Sequence, residues 1–439
     1  MTEHPGLSGA AVPSFAQERR VRAVRASGGA APVAKTVPAL CRLPDNADVG
    51  ALTQAVRAFV QRHRVLQYRF AERGDRVALH WAGARAADIE CAVTDLAGRA
   101  GEGGGDAAAE PGDAAVRHAR GEVDRAFDVL GWPLLRAGVI RGETPLFYLA
   151  ADHLVSDGWS ALLAMKEIGE LYAALLDGRE AALPAPGDFL RSSRAERRRY
   201  ADGAALDQEV ESLREQLGGR PVHPPFPVDA GWDLTRGRYT SLALLDADET
   251  SRLEMLCKAW RVTVFMAVLA AFGVAARELC GLSAAGVLVA FHNREEPGAR
   301  DGMGWYSNML PLYFPTGAVE RFSDAAREVR ARLVGLMPYH DLPLARILDC
   351  TPQGYHDGIG TEIPTCFMSF GDVRAKMRET RWELLEFPPS YRAGHGFWVS
   401  LRETGLSAEV ASPGLRSGAD QVRAFESRIA EVLRDVVAR

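Results

Sequence analysis

Cysteine is scarce in this sequence, and no two cysteines sit as a pair. Cys41, Cys91, Cys257, Cys280, Cys350 and Cys366 are scattered through 439 residues with no Cys-x-x-Cys among them. That argues against a disulfide framework and against a structural zinc site, so no metal is expected and the thiols point to the cytoplasm. No run of 18 apolar residues occurs, so no membrane span is expected. Positive charge is not in excess: the net charge is −5 and the pI near 6.1, which offers nucleic acid no basic field. The first residues lack a basic-then-apolar signal pattern, and 1–13 read as a disordered tail. What the chain does hold is the composition of a globular protein, 47% apolar and 25% charged. At 439 residues it is too long for one small core, which suggests two lobes.

The stretch that organises the rest is Pro145–Ser160. Leu146–Ala151 is an apolar run of the kind a buried strand uses. Asp152 and His153 follow it, and Asp157-Gly158 make a turn. From Ser160 the apolar positions Leu162, Leu163, Ile168, Leu171, Tyr172 and Leu175 recur at helical spacing. The reading is strand, loop, helix, with a histidine on the loop. A strand end is rigid, a loop leaves the imidazole accessible, and imidazole exchanges a proton near neutral pH.

Upstream, Ser14-Phe-Ala16-Gln17-Glu-Arg19-Arg20 reads as a polar entry to an extended segment. Asp45-Asn-Ala-Asp48 caps a helix running to about His63, with Leu52, Val56, Phe59 and Val60 on one face. Arg62-His63-Arg64-Val65-Leu66-Gln67-Tyr-Arg69-Phe70 then forms a helix-to-strand junction, in which His63 is read as packing rather than catalysis. Gly98–Gly112 reads as a flexible insertion, and Ala114–Phe127 as a helix. After a break at Leu183–Phe189, a charged helical stretch runs to about Leu217 and is strongly basic from Arg194 to Arg199. That basic run reads as a solvated face, with an acidic carrier protein as the functional alternative. Pro221–Pro227 reads as a linker.

In the second half Tyr239–Leu245 alternates as a strand, helices follow at about Asp248–Trp260 and Thr263–Cys280, and Gly286–Phe291 is a buried strand. His292-Asn293-Arg294-Glu295 ends it. Met303-Gly304-Trp305-Tyr306-Ser307-Asn308-Met309-Leu310-Pro311 comes next, then Tyr339-His340-Asp341-Leu342-Pro343, Thr365–Gly371 and His395–Arg402 with Leu406–Ala411. Ser417–Arg439 closes the chain as a helix.

His153-x-x-x-Asp157-Gly158, between an apolar strand and an amphipathic helix, resembles the acyl-transfer motif of condensation domains of nonribosomal peptide synthetases. The other segments resemble that family's further motifs in order, over roughly residues 14 to 435. Those domains share a superfamily with chloramphenicol acetyltransferase. Gln67 stands where an arginine is usual, Trp305 and Tyr306 replace the usual aromatic–apolar pair, and Asp152 stands where most members carry histidine.

The resemblance implies a mixed α/β (α+β) fold of two acetyltransferase-like lobes in a V, with the active site in a tunnel between them. It divides the chain into an N-terminal lobe, 14–182, a connecting helix and Pro-rich linker, 183–238, and a C-terminal lobe, 239–439, whose latch hairpin at 395–411 crosses between lobes. His153 would handle the proton, Gly158 would allow a tight turn and place backbone N–H groups, and Asp157 would pair with Arg294 from the other lobe. Asp152 would act on the His153 ring by raising its pKa or orienting it. Trp159, Trp305, Asn308 and Ser369 would line the tunnel. The implied reaction is amide or ester formation by attack of an amine or alcohol on an acyl thioester. The acyl group would ride the phosphopantetheine of a separate acyl or peptidyl carrier protein, with no bound cofactor. The chain shows no adenylation domain and no Gly-Gly-x-Ser site, so it is expected to be freestanding, and a monomer of two similar lobes.

Three alternatives share these residues. Asp152, Asp157 and Ser160 also satisfy the Asp-x-x-x-x-Asp-x-x-Ser pattern of heterocyclisation domains. Plain condensation is favoured because His153 is retained and the heterocyclisation-type N-terminal aromatic motif is absent. A coenzyme A-dependent acyltransferase would share His153 and the fold. A silent recruitment module would keep the fold without the chemistry.

Overall fold

The computed structural model describes residues 11–26, 36–74, 76–96, 114–317, 321–349, 365–385, 387 and 394–438. Most of the expected tail, the Gly98–Gly112 insertion and Cys350 lie outside the described residues. Two compact units emerge. The first takes Met1–Ala201, Arg294–Tyr306 and Ala375–Ser390, and the second takes Asp202–Asn293, Ser307–Arg374 and Tyr391–Arg439.

The first unit begins with α1 (Phe15–Ala26), β1 (Thr36–Arg42) and α2 (Val49–Arg62). A hairpin of β2 (Tyr68–Arg73) and β3 (Arg76–Trp81) follows, then β4 (Cys91–Asp95), α3 (Ala114–Asp124), β5 (Leu135–Arg141) and β6 (Leu146–Asp152). The long α4 (Gly158–Asp177) and α5 (Phe189–Arg199) complete it. Four strands form one sheet in the order β1-β6-β5-β4, with β6 antiparallel to both neighbours and β4 parallel to β5.

The unbroken apolar run of β6 has a physical reason: both faces are covered, and every residue of the strand is buried. Phe147, Leu149 and Ala151 join the larger core with Phe59 of α2 and Ala164 and Ile168 of α4. Leu146 and Tyr148 point the other way, into a smaller cluster with Leu40, Ile140 and Ala119 of α3. Burial of a side chain of this size stabilises by about 1.5–3 kcal/mol.

The second unit runs through α6 (Gly203–Leu217), β7 (Trp232–Asp246), α7 (Ala247–Trp260), α8 (Val264–Cys280), β8 (Ala284–His292) and β9 (Ser307–Pro315). Then come α9 (Phe322–Leu336), α10 (Leu344–Asp349), β10 (Thr365–Asp372), α11 (Arg374–Glu379), β11 (Gly394–Arg402), β12 (Gly405–Leu415) and α12 (Ala419–Val437). Its sheet has the order β7-β12-β11-β10-β8-β9, with β10 parallel to both neighbours and the other pairs antiparallel. Among the described residues no single helix is long and apolar enough to cross a membrane.

Several sequence expectations are corrected here. The polar Ser14–Arg20 segment opens a helix rather than an extended entry. The charged stretch after Phe189 is two helices, broken at Tyr200–Asp202, and the two units divide at that break rather than across a linker at 183–238. The Pro-rich 221–227 segment is packed structure: Pro225 bridges to Thr365, Cys366 N–H donates to Pro224 O at 2.7 Å, and Phe226 is buried. The 395–411 hairpin supplies interior strands to the second unit's sheet. The segment that rejoins the first unit is Ala375–Ser390. It adds to the free edge of β1, with Arg42 N–H donating to Glu383 O at 3.0 Å and Leu385 N–H to Leu40 O at 2.9 Å. Trp382 packs near Phe147 and Tyr172, and Lys166 pairs with Glu379 at 2.7 Å.

Candidate active site

His153 lies one residue past β6, at the centre of a turn fixed on both sides. Asp152 N–H donates to Leu134 O at 2.9 Å, Leu154 N–H to Asp152 Oδ1 at 2.8 Å, and Val155 N–H to Asp152 O at 3.0 Å. Gln17 of α1 donates from Nε2 to Leu154 O at 2.6 Å, and Ser14 holds Gln17 through reciprocal bonds of 2.9 and 3.2 Å. Arg20, one turn along the same helix, donates from Nε to Asp152 Oδ1 at 3.0 Å and from Nη2 to Oδ2 at 2.6 Å. Both side chains are buried.

Asp152 was expected to act on the His153 ring; its bonds here run to the turn and to α1. Its two carboxylate oxygens are taken by Arg20 and by the Leu154 N–H, so it organises the turn through α1. A bidentate Arg–carboxylate pair of this kind is a geometric lock.

Asp157 is the N-cap of α4, accepting from Ser160 N–H at 2.8 Å through Oδ1. Arg294 donates to the same oxygen at 2.7 Å, and Tyr306 N–H donates to Oδ2 at 3.0 Å. Burial alone raises the pKa of this carboxyl. The Arg294 charge and the Ser160 hydrogen bonds outweigh that and hold it below the usual range. Arg294 was expected from the other lobe; it lies just past β8 in a segment that belongs to the first unit. Its remaining donors reach Ala299 O at 2.7 Å, Gly302 O at 2.6 Å and Ser160 Oγ at 2.9 Å, and it stacks 4.1 Å from the Tyr306 ring centroid. Ser160 Oγ also donates to Gly304 O at 3.1 Å and accepts from Gly304 N–H at 3.2 Å. Asp157, Ser160 and Arg294 are therefore one buried structural network.

Gly158 is the first residue of α4 and is exposed. It has no positive φ, and a Cβ there would meet no atom within 4 Å, so the turn does not require glycine. The missing side chain leaves room before the positive end of a 20-residue helix. Trp159 donates its indole N–H to Arg300 O at 2.8 Å, pinning the loop after Arg294.

Trp305 packs on His153, with ring centroids 4.3 Å apart and planes at 47°. Its neighbour Gly304 has φ +155°, and a Cβ there would come within 2.4 Å of the Phe189 ring. His63 is buried, with Nε2 2.8 Å from Glu167 Oε2, and Nδ1 accepts from Met303 N–H at 3.4 Å. Gln67 donates to Val60 O and Gln61 O, so its amide caps the end of α2.

Asn308 and Ser369 belong to the second unit. The Asn308 amide donates to His340 O at 2.9 Å and Leu342 O at 2.8 Å, and its oxygen accepts from Leu344 N–H at 3.1 Å. Asn308 thus ties the Tyr339–Pro343 motif to β9. Ser369 is half-buried on β10, opposite Trp398 of β11. Sequence reasoning missed Arg20, Glu167 and the Trp305–His153 contact. The signal for Arg20 was the helical period Gln17, Arg20, Val21, Val24, all of them buried.

A family model described as a condensation domain matches residues 11–360. A linear gramicidin synthase of Brevibacillus parabrevis is 27% identical over 322 residues, 71% of this chain and 6% of that protein. Acyltransferase PapA3 of Mycobacterium tuberculosis is 24% identical over 321 residues, 70% of this chain and 63% of that protein. The chain spans under two thirds of the length of either. In structure it is similar to the first condensation domain of the calcium-dependent antibiotic synthetase, solved with a substrate analogue. The TM-score is 0.74 at 19% identity, covering 98% of this chain and 97% of that one.

Proposed function

Because the chain belongs to the condensation-domain family, we propose that it transfers an acyl group from a carrier-protein thioester to an amine or hydroxyl, forming an amide or ester. The acyl group arrives on phosphopantetheine as substrate, and the acceptor is carrier-bound or a free small molecule. The protein works as a monomer in the cytoplasm, a compartment consistent with the free thiols Cys41, Cys91, Cys257, Cys280 and Cys366.

The observation that carries this reading is a half-buried imidazole held in a turn by two buried ion pairs, Arg20–Asp152 and Arg294–Asp157. The acceptor nitrogen or oxygen attacks the thioester carbonyl. His153 takes the acceptor's proton as the new C–N or C–O bond forms. The tetrahedral oxyanion gains from the α4 N-terminus, where Ser160 N–H is committed to Asp157 and the N–H groups of Gly158 and Trp159 lead the helix. Collapse breaks the C–S bond, and the thiolate leaves with the proton that His153 returns.

Heterocyclisation through Asp152, Asp157 and Ser160 is disfavoured, because all three are committed to internal bonds. An acyltransferase using acyl-coenzyme A is the second reading; PapA3, to which the chain is similar, is an acyltransferase. The test offers a loaded carrier protein and, separately, the same acyl group on coenzyme A, with a panel of amines, alcohols and cysteine. Mass spectrometry reads the products. Coupled product from the carrier, at a rate well above that from coenzyme A, supports the proposal. Equal rates support the second reading, and further loss of water on coupling to cysteine supports heterocyclisation. No product from any donor supports a non-catalytic recruitment module.

A further inference from the structure

We propose, resting on that role for His153, that Trp305 is a positioning residue: its indole orients the imidazole and favours its protonated form. The ring centroids lie 4.3 Å apart with planes at 47°. An indole face carries negative π density, and a cation within about 6 Å of its centroid is attracted to it. When His153 takes the acceptor's proton, the resulting imidazolium gains a partner that costs no rearrangement.

The indole is not delivered by a loose loop. Arg294 holds Gly302 O at 2.6 Å, His63 accepts from Met303 N–H at 3.4 Å, and Asp157 accepts from Tyr306 N–H at 3.0 Å. Gly304 is bonded through both its N–H and its carbonyl to Ser160 Oγ. At Gly304, φ of +155° and the Phe189 ring 2.4 Å from any Cβ restrict the position to glycine. The backbone on both sides of Trp305 is therefore fixed. Glu167 in turn holds His63, so a chain of contacts from α4 and α2 ends at the imidazole of His153.

Asp152 is bound by Arg20 and Asp157 by Arg294, and Tyr306 lies beside Arg294. The neighbouring Trp159 is engaged at Arg300 O and, in a cation–π contact, with Lys376 at 5.3 Å. Two tryptophans that read alike in the sequence thus have different work.

The test is an NMR pH titration of the imidazole C–H signals in the full chain, with His153→Gln used to identify those of His153. Trp305→Leu should lower the His153 midpoint by about half a pH unit and remove the upfield ring-current shift. Trp305→Phe should retain most of both effects, and Trp305→Met, which fills the site without an aromatic face, serves where the leucine variant does not fold. A midpoint unchanged to within about 0.1 unit in the non-aromatic variant that folds overturns the proposal. In product assays Trp305→Leu should lower kcat about threefold to tenfold with KM little changed. A raised KM with an unchanged midpoint assigns Trp305 to substrate lining and also overturns it. The titration needs no turnover, so its failure and a failure of the catalytic role of His153 are separately visible.

Discussion

Arg20 grips both carboxylate oxygens of Asp152, at 3.0 and 2.6 Å, and so ties the first helix of the chain to the residue before His153. The pair spans 132 positions of sequence and is buried at both ends. It converts an aspartate that looks like a reacting group into an anchor for the turn.

Arg20→Ala leaves a buried carboxylate without its cation. Removing one partner of a buried pair costs about 3–5 kcal/mol. Chemical denaturation should show that loss, and Arg20→Met with Asp152→Asn should recover a large part of it. Loss below about 1 kcal/mol for the single variant contradicts a structural role for the pair. Asp152→Asn alone should destabilise without moving the pH profile of turnover, because the carboxylate serves Arg20.

Asp157 makes a pH prediction. Its folded pKa is held below the unfolded value near 3.9, so its contribution is fully present above about pH 4 and is lost as pH falls through the lower folded value. The stability difference between wild type and Asp157→Asn should therefore be greatest near neutrality and shrink below about pH 4. A difference that grows on acidification contradicts the assignment. Denaturant midpoints of both proteins from pH 7 to pH 3 check it.

Ser160 is a junction rather than a reagent. Ser160→Ala should cost about 1–3 kcal/mol, since Arg294 and both polar groups of Gly304 lose a buried partner. Product masses should be unchanged in kind. Loss of a dehydrated product in Ser160→Ala, with the coupled product intact, contradicts this and favours heterocyclisation.

Much of this arrangement was legible in the residues. The apolar run of β6 is read correctly because a strand covered on both faces has no reason to alternate. The turn at Asp157-Gly158 before an amphipathic helix is legible too, though not that Asp157 is the N-cap of that helix. Arg20 is not legible when Ser14–Arg20 is taken as a polar entry to an extended segment, because that reading passes over the helical period. On a helix Gln17 and Arg20 share a face, and that face meets the turn at His153. The prolines of 221–227 suggested a linker, yet proline is compatible with a packed edge, and Pro225 lies against Thr365. The place of 395–411 inside a sheet is not legible, because a hairpin signal says nothing of which strands lie beside it. Here β10 and β7 flank the two strands.

The most direct test of the central claim is single-turnover acyl transfer from a loaded carrier protein by wild type and by His153→Ala, with both folds checked by circular dichroism. The account predicts that the variant keeps its fold and loses product formation by about 10²–10⁴-fold. Turnover equal to wild type in a correctly folded His153→Ala protein would contradict it.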